Sequence, residues 1–229
     1  MILSSRLEIV VSALDLSGKV ADIGTGHAQV PIYLAKNTAV SLVVASEYKD
    51  NPYQKAKSEI EKAEVGDKVQ LRRGFGLEVL SEGEVEEIVI AGLGASTIQK
   101  ILGQKIKLAH SFKKIVLQPM NKLPGLRRWL LDNNFRLIDE RIVKEKGTFY
   151  QVLEVKKGKM KVGDEFLLEV GPYLIERNEE LVDDFLNHLE NRWQKIVEEL
   201  AQKKANSLRC QQLEEKINSL KEVKRWRQS

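Results

Sequence analysis

The chain has 229 residues, 42% of them hydrophobic and 31% charged, with a formal net charge of +4. That length can bury a sizeable core in one large domain or in one domain with an appendage. A single cysteine, Cys210, excludes a disulfide framework and a multi-cysteine metal site. The three histidines, His27, His110 and His188, lie far apart, so no metal centre is expected. The opening residues lack the basic region and apolar core of a signal peptide, and no apolar run nears the roughly 18 residues of a membrane span. A soluble, cytoplasmic monomer without a membrane partner is expected. Positive charge is concentrated before Met160, with 25 basic against 19 acidic residues; the remainder holds 12 against 14. A polyanion would therefore meet the first part of the chain first.

In chain order, "KVADIG" (19–24) reads as a buried strand and "HAQVPIYLAKN" as the helix after it. "SLVVASE" (41–47) is a second strand, followed by the helical "NPYQKAKSEIEKAEV", with Pro52 in the first turn, where proline is tolerated. "KVQLRR" (68–73), "EEIVIAG" (86–92) and "KKIVLQP" (113–119) continue the strands. "STIQKILGQ" is helical between the last two, and "LPGLRRWLLDNN" supplies a helix after them. "FRLIDERIVKEKGTFYQVLEVKKG" reads as two strands joined through "KEKGT". The alternation predicts an α/β, doubly wound domain over 1–158 with a seven-stranded, mostly parallel sheet, five strands parallel and two in a closing antiparallel hairpin.

After Gly158 the pattern changes. Leu181, Phe185, Leu189, Trp193, Ile196 and Leu200 recur at helical spacing, and Leu208, Leu213, Ile217 and Leu220 follow a polar break at "KKANS". Residues 159–229 are expected to form a coiled-coil-like hairpin of two antiparallel helices.

The stretch "VADIGTGHAQVP" (20–31) places Gly24 and Gly26 directly after the first strand. A dinucleotide fingerprint requires a third glycine where Gln29 stands, which disfavours a nicotinamide oxidoreductase. What remains is D-x-G-x-G, with Glu47 closing the second strand, a pattern that suits S-adenosylmethionine. The glycines let the backbone approach a ligand closely. Asp22 holds the turn or accepts from the methionine ammonium, and Glu47 accepts from both ribose hydroxyls. An ordinary strand-to-helix turn is the alternative reading, and His27 alone reads as a surface residue at a helix start.

Taken together, "LSSRLEIV", "ADIGTGHAQVPIYL", "SEYKDNPYQKA", "RRGFGLEVL", "IAGLGASTI", "LQPMN" with "LRRWL", "FYQVL" and "GPYL" resemble, in order and spacing, the bacterial tRNA (adenine(22)-N1)-methyltransferase family. The resemblance runs from about Ser4 to the C-terminal helices. It implies a class I, Rossmann-like methyltransferase that uses S-adenosyl-L-methionine, releases S-adenosylhomocysteine and methylates N1 of an adenine in the D-arm region of tRNA, with the helical hairpin helping to grip the RNA. It implies cofactor contacts at Asp22, Gly24, Gly26, His27, Glu47, Tyr48, Phe75, Gly76 and Gly92. The chain departs from the family's usual wording in places. Gly26 replaces an acid, and Phe75 replaces a residue that hydrogen-bonds the cofactor adenine. "AGLGA" stands for "AGMGG" and "QPM" for "QPN". These departures keep two alternatives open: a tRNA-binding relative with weak or lost activity, and a methyltransferase of the same fold acting on another RNA or a small molecule.

Adenine N1 carries a lone pair and no proton, so the proposed step requires positioning and charge management more than a strong base. Ligands sit at the carboxyl ends of parallel strands, which nominates Gly92, Gln118 and Asn121 for the catalytic site, with Gln118 or Asn121 on the adenine edge. A strand end closed by proline is the plainer reading of "LQPMN". Arg6, Arg72, Arg73, Arg127 and Arg128 are candidates for RNA phosphates, as are Lys224 and Arg225 in the tail, although any one of them reads equally as a salt-bridged surface residue. Trp129, Trp193 and Cys210 are expected in the core, and Trp226 is a candidate for stacking on a base.

Overall fold

The computed structural model describes residues 2–177, 179–203 and 208–228. The chain divides into two compact units, Met1–Lys161 and Val162–Ser229. The first opens with a helix outside the sequence expectation, α1 (Ser5–Val11), which buries Leu7, Val10 and Val11. The expected alternation follows: β1 (Lys19–Ile23), α2 (Gln29–Asn37), β2 (Leu42–Glu47), α3 (Asp50–Ala63), β3 (Val69–Arg73) and a 3₁₀ turn at Gly76–Val79. β4 (Glu87–Leu93), α4 (Ala95–Gln104), the short α5 (Ile106–Ala109), β5 (Lys114–Pro119) and α6 (Leu123–Asp132) continue it, and the hairpin β6 (Phe135–Glu145) and β7 (Thr148–Lys157) closes it.

The seven strands lie in the order β3-β2-β1-β4-β5-β7-β6. β1 to β5 are mutually parallel, and consecutive residues such as Val43, Val44 and Ala45, or Ile88, Val89 and Ile90, have no exposed surface. Burial on both sides of a strand means that both sheet faces are covered, as parallel sheets require. The expected antiparallel hairpin closes the sheet, with its strands out of chain order. β7 alone runs antiparallel to the rest, inserted between β5 and β6, so β6 again points along the parallel set. The reason lies in the side chains. Gln151–Val155 of β7 are all buried and suit an interior strand, whereas β6 mixes buried with half-exposed positions and suits the edge.

At the amino end of the parallel strands, Glu87 is buried where the Asp15 amide donates to its carboxylate at 3.1 Å. Lys114 pairs there with Asp15 and, at 3.3 Å, with Glu154. Burial pushes the Glu87 carboxyl up to about 7 from an ordinary value near 4.5. The folded chain thus holds this proton more tightly than the unfolded chain does. Stability falls as pH rises from about 4.5 to about 7, and the penalty is complete above that. Glu87→Gln is expected to flatten this slope and to raise the Tm at pH 8 by roughly 4–8 °C, equivalent to about 2 kcal/mol, with little change at pH 5. Thermal melts at the two pH values check it.

The second unit contains α7 (Leu167–Val170), α8 (Glu180–Lys203) and α9 (Leu208–Gln228). α8 and α9 are antiparallel: Lys224 reaches Glu190 at 2.6 Å and Arg227 reaches Asp183 at 2.9 Å, joining the end of one helix to the start of the other. The seam differs from the expected one. Val182 and Leu186 are fully buried, with Phe185, Trp193, Cys210, Ile217 and Leu220, while Leu181, Leu189, Ile196 and Leu200 are half-buried and Leu208 is 70% exposed. The segment carrying Phe166, Leu168, Val170, Leu174 and Ile175 supplies the difference: Phe166 meets Trp193 edge-on at 6.3 Å, and α8 must serve this layer as well as α9. Of the break at "KKANS", residues 204–207 lie outside the described residues.

Candidate active site

A cavity of about 640 Å³ opens at the carboxyl ends of the parallel strands in the first unit, within the size range of small-ligand sites. Its floor is the turn after β1. Gly24 (φ +78°) sits in the left-handed region, and a Cβ there would stand 3.1 Å from the Leu93 side chain, so both backbone and space demand glycine. Gly26 (φ +58°) has open space beside it and is required by its backbone alone.

The turn is tied to β2. The amides of Gly24 and Thr25 donate to the Ser46 carbonyl at 2.9 and 2.8 Å. The Gly26 amide donates to Glu47 Oε2 at 3.1 Å, and the amides of Tyr48 and Lys49 donate to Glu47 Oε1 at 2.9 Å each. Three N–H groups thus fix this carboxylate in one orientation at the cavity wall; they take up three of its roughly four acceptor sites and leave the remaining one on Oε2. Asp22 lies below it, 4% exposed. Burial pushes its carboxyl up to about 6; Thr25 beside it opposes the rise, and the charge of Glu47 adds to it. His27 is exposed on the rim of the turn.

Toward β3, Phe75 and Gly76 form the wall. Gly76 also has a positive φ, and a Cβ there would meet Ile101 of α4 at 3.1 Å. Tyr48, 62% exposed, meets the Phe75 ring edge-on at 5.8 Å, and Lys100 Nζ lies 5.1 Å from the centroid of that ring. Thr97 and Ile101, one turn apart on α4, line the cavity as well. Sequence reading missed both, although their i, i+4 spacing immediately after "AGLGA" marks one helical face.

Toward β5, Gly92 (φ +74°) lies at a register shift between Ala91 and Leu93, and its amide donates to Gln118 Oε1 at 3.2 Å. The expectation that Gln118 presents its edge to a substrate base is corrected by its surroundings. The side chain is fully buried; Oε1 also accepts from Arg6 Nη1 at 2.6 Å, while Nε2 donates to the Pro119 carbonyl at 3.0 Å and faces Met120 Sδ at 3.7 Å. Its carboxamide is taken up in holding the ends of β4 and β5 together. Asn121 is exposed, and its Oδ1 accepts from the Ala95 amide at the start of α4 at 3.3 Å.

Several of the basic residues nominated for RNA are engaged within their own unit. Arg127 is fully buried, bonded to Glu140 at 2.7 Å and Gln151 at 2.5 Å, so it cannot meet a phosphate. Arg72 is spent on the Val79 carbonyl and on Glu84, a structural clasp behind the Phe75 loop, and Arg73 pairs with Asp50 at 3.1 Å. Arg6 points into the cavity. Arg128 is half-buried, Lys224 is paired with Glu190, and Arg225 is exposed near Trp226, which is 57% exposed.

A sheet in this order, with a tight glycine turn after β1 and a fixed carboxylate after β2, defines a class I methyltransferase domain with a cleft for an adenosyl cofactor. The chain belongs to the tRNA (adenine(22)-N(1))-methyltransferase family, TrmK, which matches residues 20–222. It is 33% identical over 231 residues to the tRNA (adenine(22)-N(1))-methyltransferase of Bacillus subtilis, covering 96% of each chain. Among solved structures, it is similar to a Streptococcus agalactiae protein of the NADB-Rossmann superfamily, with 30% identity, TM-score 0.89 and 97% of each chain covered. A Streptococcus pneumoniae protein solved in complex with S-adenosyl-L-methionine is 32% identical with TM-score 0.82, covering 97% of this chain and 99% of that one.

Proposed function

We propose that this chain methylates N1 of adenine 22 in tRNA with S-adenosyl-L-methionine as donor, releasing S-adenosylhomocysteine, and that it works as a cytoplasmic monomer. The observation that carries the reading is the Glu47 carboxylate, fixed by three backbone amides beside the glycine turn in a cavity large enough for an adenosyl ligand. The residues present suit that cofactor. Glu47 would accept from the ribose, Gly24 and Gly26 would let the chain pass close to it, Asp22 would meet the ammonium, and Phe75 with Tyr48 would wall the base. When bound, the cofactor supplies an electrophilic methyl group on a sulfonium.

The chain's own residues do the rest by placement. N1 attacks with its lone pair and loses no proton, so no general base is required. Gly92 and Asn121 flank the approach of the target base, and Gln118 acts as a positioning residue by fixing the Gly92 amide. The unit from Val162 onward grips the tRNA through exposed cations such as Arg225.

Because Asp22 must be ionised to meet an ammonium, affinity for the cofactor is expected to fall as pH drops through about 6, and Asp22→Asn is expected to bind weakly at every pH without that dependence. Calorimetric titration from pH 5 to pH 8 checks both. The function itself is tested by methyl transfer from labelled cofactor to two tRNA transcripts, one with adenine and one with guanine at position 22. Label recovered as 1-methyladenosine from the first alone supports the reading. No label from either, with tRNA still bound, would identify a binder that has given up the chemistry.

A further inference from the structure

The cavity stops at β4, but the sheet continues through β5 and then β7. β7 runs antiparallel to β5, with Val116 opposite Glu154 and Leu117 opposite Leu153. Carrying that register three residues further sets Tyr150 opposite Met120, just past the carboxyl end of β5. Both belong to the sheet face that α1 covers. Val116 and Val152 share a core cluster with Leu7 and Val10 of α1, and alternate residues point the same way: Gln118 and Met120 follow Val116, and Tyr150 precedes Val152. The contacts agree. Gln118 Nε2 faces Met120 Sδ at 3.7 Å, and Arg6 of α1 donates to Gln118 at 2.6 Å while its Cζ lies 5.7 Å over the centre of the Tyr150 ring.

These two side chains make a small apolar shelf left open to water. Met120 is 47% exposed and Tyr150 is half-buried. Arg6 covers one face of the Tyr150 ring and is itself fixed, its backbone amide donating to Glu145 Oε2 at 2.9 Å. Among the described residues no second ring meets Tyr150 and its hydroxyl makes no hydrogen bond. The shelf is close to the cofactor cavity. Arg6 Nη1 stands 3.6 Å from where a Cβ on Gly92 would be, and the Gly92 amide donates to Gln118 at 3.2 Å. With neighbouring strands about 4.8 Å apart, β5 and β7 lie roughly 5 and 10 Å beyond β4, a distance one purine nucleoside can cover.

We propose that Tyr150 and Met120 hold the target adenine, its ring stacked on the open face of Tyr150 so that N1 points across Gly92 toward the cofactor cavity. The proposal rests on the reading above that adenine 22 of tRNA is the substrate. The N1–carbon bond forms as the carbon–sulfur bond breaks, the electron pair of the latter staying on sulfur, and the base becomes a cation. The negative face of an aromatic ring favours that cation over the neutral base, and a thioether is a polarisable neighbour for either. A protein partner could also cover an exposed methionine. A half-buried ring backed by a fixed guanidinium at the end of β4 suits a planar base better.

The test compares the intact wild-type chain with Tyr150→Leu, Tyr150→Phe and Met120→Ala. Three quantities are measured for each: methyl transfer to tRNA with adenine at position 22, affinity for the same tRNA without a base at that position, and affinity for S-adenosylmethionine. Tyr150→Leu keeps apolar bulk on β7 and removes the stack; its kcat/KM for tRNA is expected to fall about ten- to a hundredfold. Its affinities for the abasic tRNA and for the cofactor should stay within about threefold of wild type. Tyr150→Phe should keep most of the activity, and Met120→Ala, at an exposed position, should lose about two- to tenfold. A kcat/KM for Tyr150→Leu within about threefold of wild type overturns the proposal. Equal weakening toward the abasic tRNA also overturns it, because the contact then lies elsewhere on the RNA. Cofactor affinity that falls in step with turnover overturns it too, leaving the ring a support for Arg6 alone, as does a Tyr150→Phe variant no better than Tyr150→Leu. If the wild-type chain transfers no methyl group to adenine 22, the functional reading fails and the proposal with it.

Discussion

Glu47→Ala is expected to raise the dissociation constant for S-adenosylmethionine by about a hundredfold or more. A ribose hydroxyl donating to the free site on this carboxylate forms a charge-assisted bond that contributes about 1.5–3 kcal/mol. The substitution also releases the amides of Gly26, Tyr48 and Lys49, so the glycine turn and the start of α3 lose their common anchor. The loss therefore exceeds that of the ribose bond alone. Glu47→Gln is expected to fall between, since its one oxygen can replace only one of the two acceptors. The three lost amide bonds should also lower the thermal melt by several degrees, so the calorimetry is run well below the variant's unfolding onset. A dissociation constant for Glu47→Ala within about threefold of wild type would place the ribose elsewhere and undo the assignment of the cavity.

The largest effect on stability is expected at Arg127. Its guanidinium is fully buried between α6 and the β6–β7 hairpin, donating to Glu140 and Gln151. Arg127→Ala leaves the Glu140 carboxylate buried without its cation, a loss of about 3–5 kcal/mol. For a unit of this size that lowers the Tm by roughly 10 °C. Replacing both charges, as Arg127→Met with Glu140→Leu, should restore much of the loss, because removing the pair also removes its desolvation cost. At a temperature where the single variant remains folded, its tRNA affinity should match wild type. An unchanged melt combined with weakened tRNA binding would return Arg127 to the RNA surface.

These two residues mark the limits of what the sequence discloses. Glu47 was legible because both of its cues are local: an acid at the end of an apolar strand, and a glycine turn at the end of the strand before it. The five parallel strands were legible for the same reason, as short β-rich runs punctuated by helical ones. Arg127 was not, because "LRRWLL" resembles a basic surface helix until Glu140 and Gln151, from strands later in the chain, are folded against it. Gln118 was correctly placed at the carboxyl end of β5 but misjudged in its partners, since one of them, Arg6, lies 112 positions earlier in the chain. In α8, Leu181 and Val182 begin two interleaved apolar series, and which one is buried depends on the layer around Phe166 to Ile175 rather than on the helix itself. Local chemistry was readable, and partnership across the fold was not.

The insertion of β7 between β5 and β6 has a consequence for synthesis on the ribosome. The last strand made is not the outermost, so the sheet cannot grow by adding strands in the order they emerge. Arg127 is translated 24 residues before Gln151, which at cellular elongation rates is about 1–5 s. During that interval the nascent chain carries a cation whose burial site does not yet exist. Closure of the methyltransferase domain is thus a late event that waits for β7, immediately before the helical hairpin begins to appear.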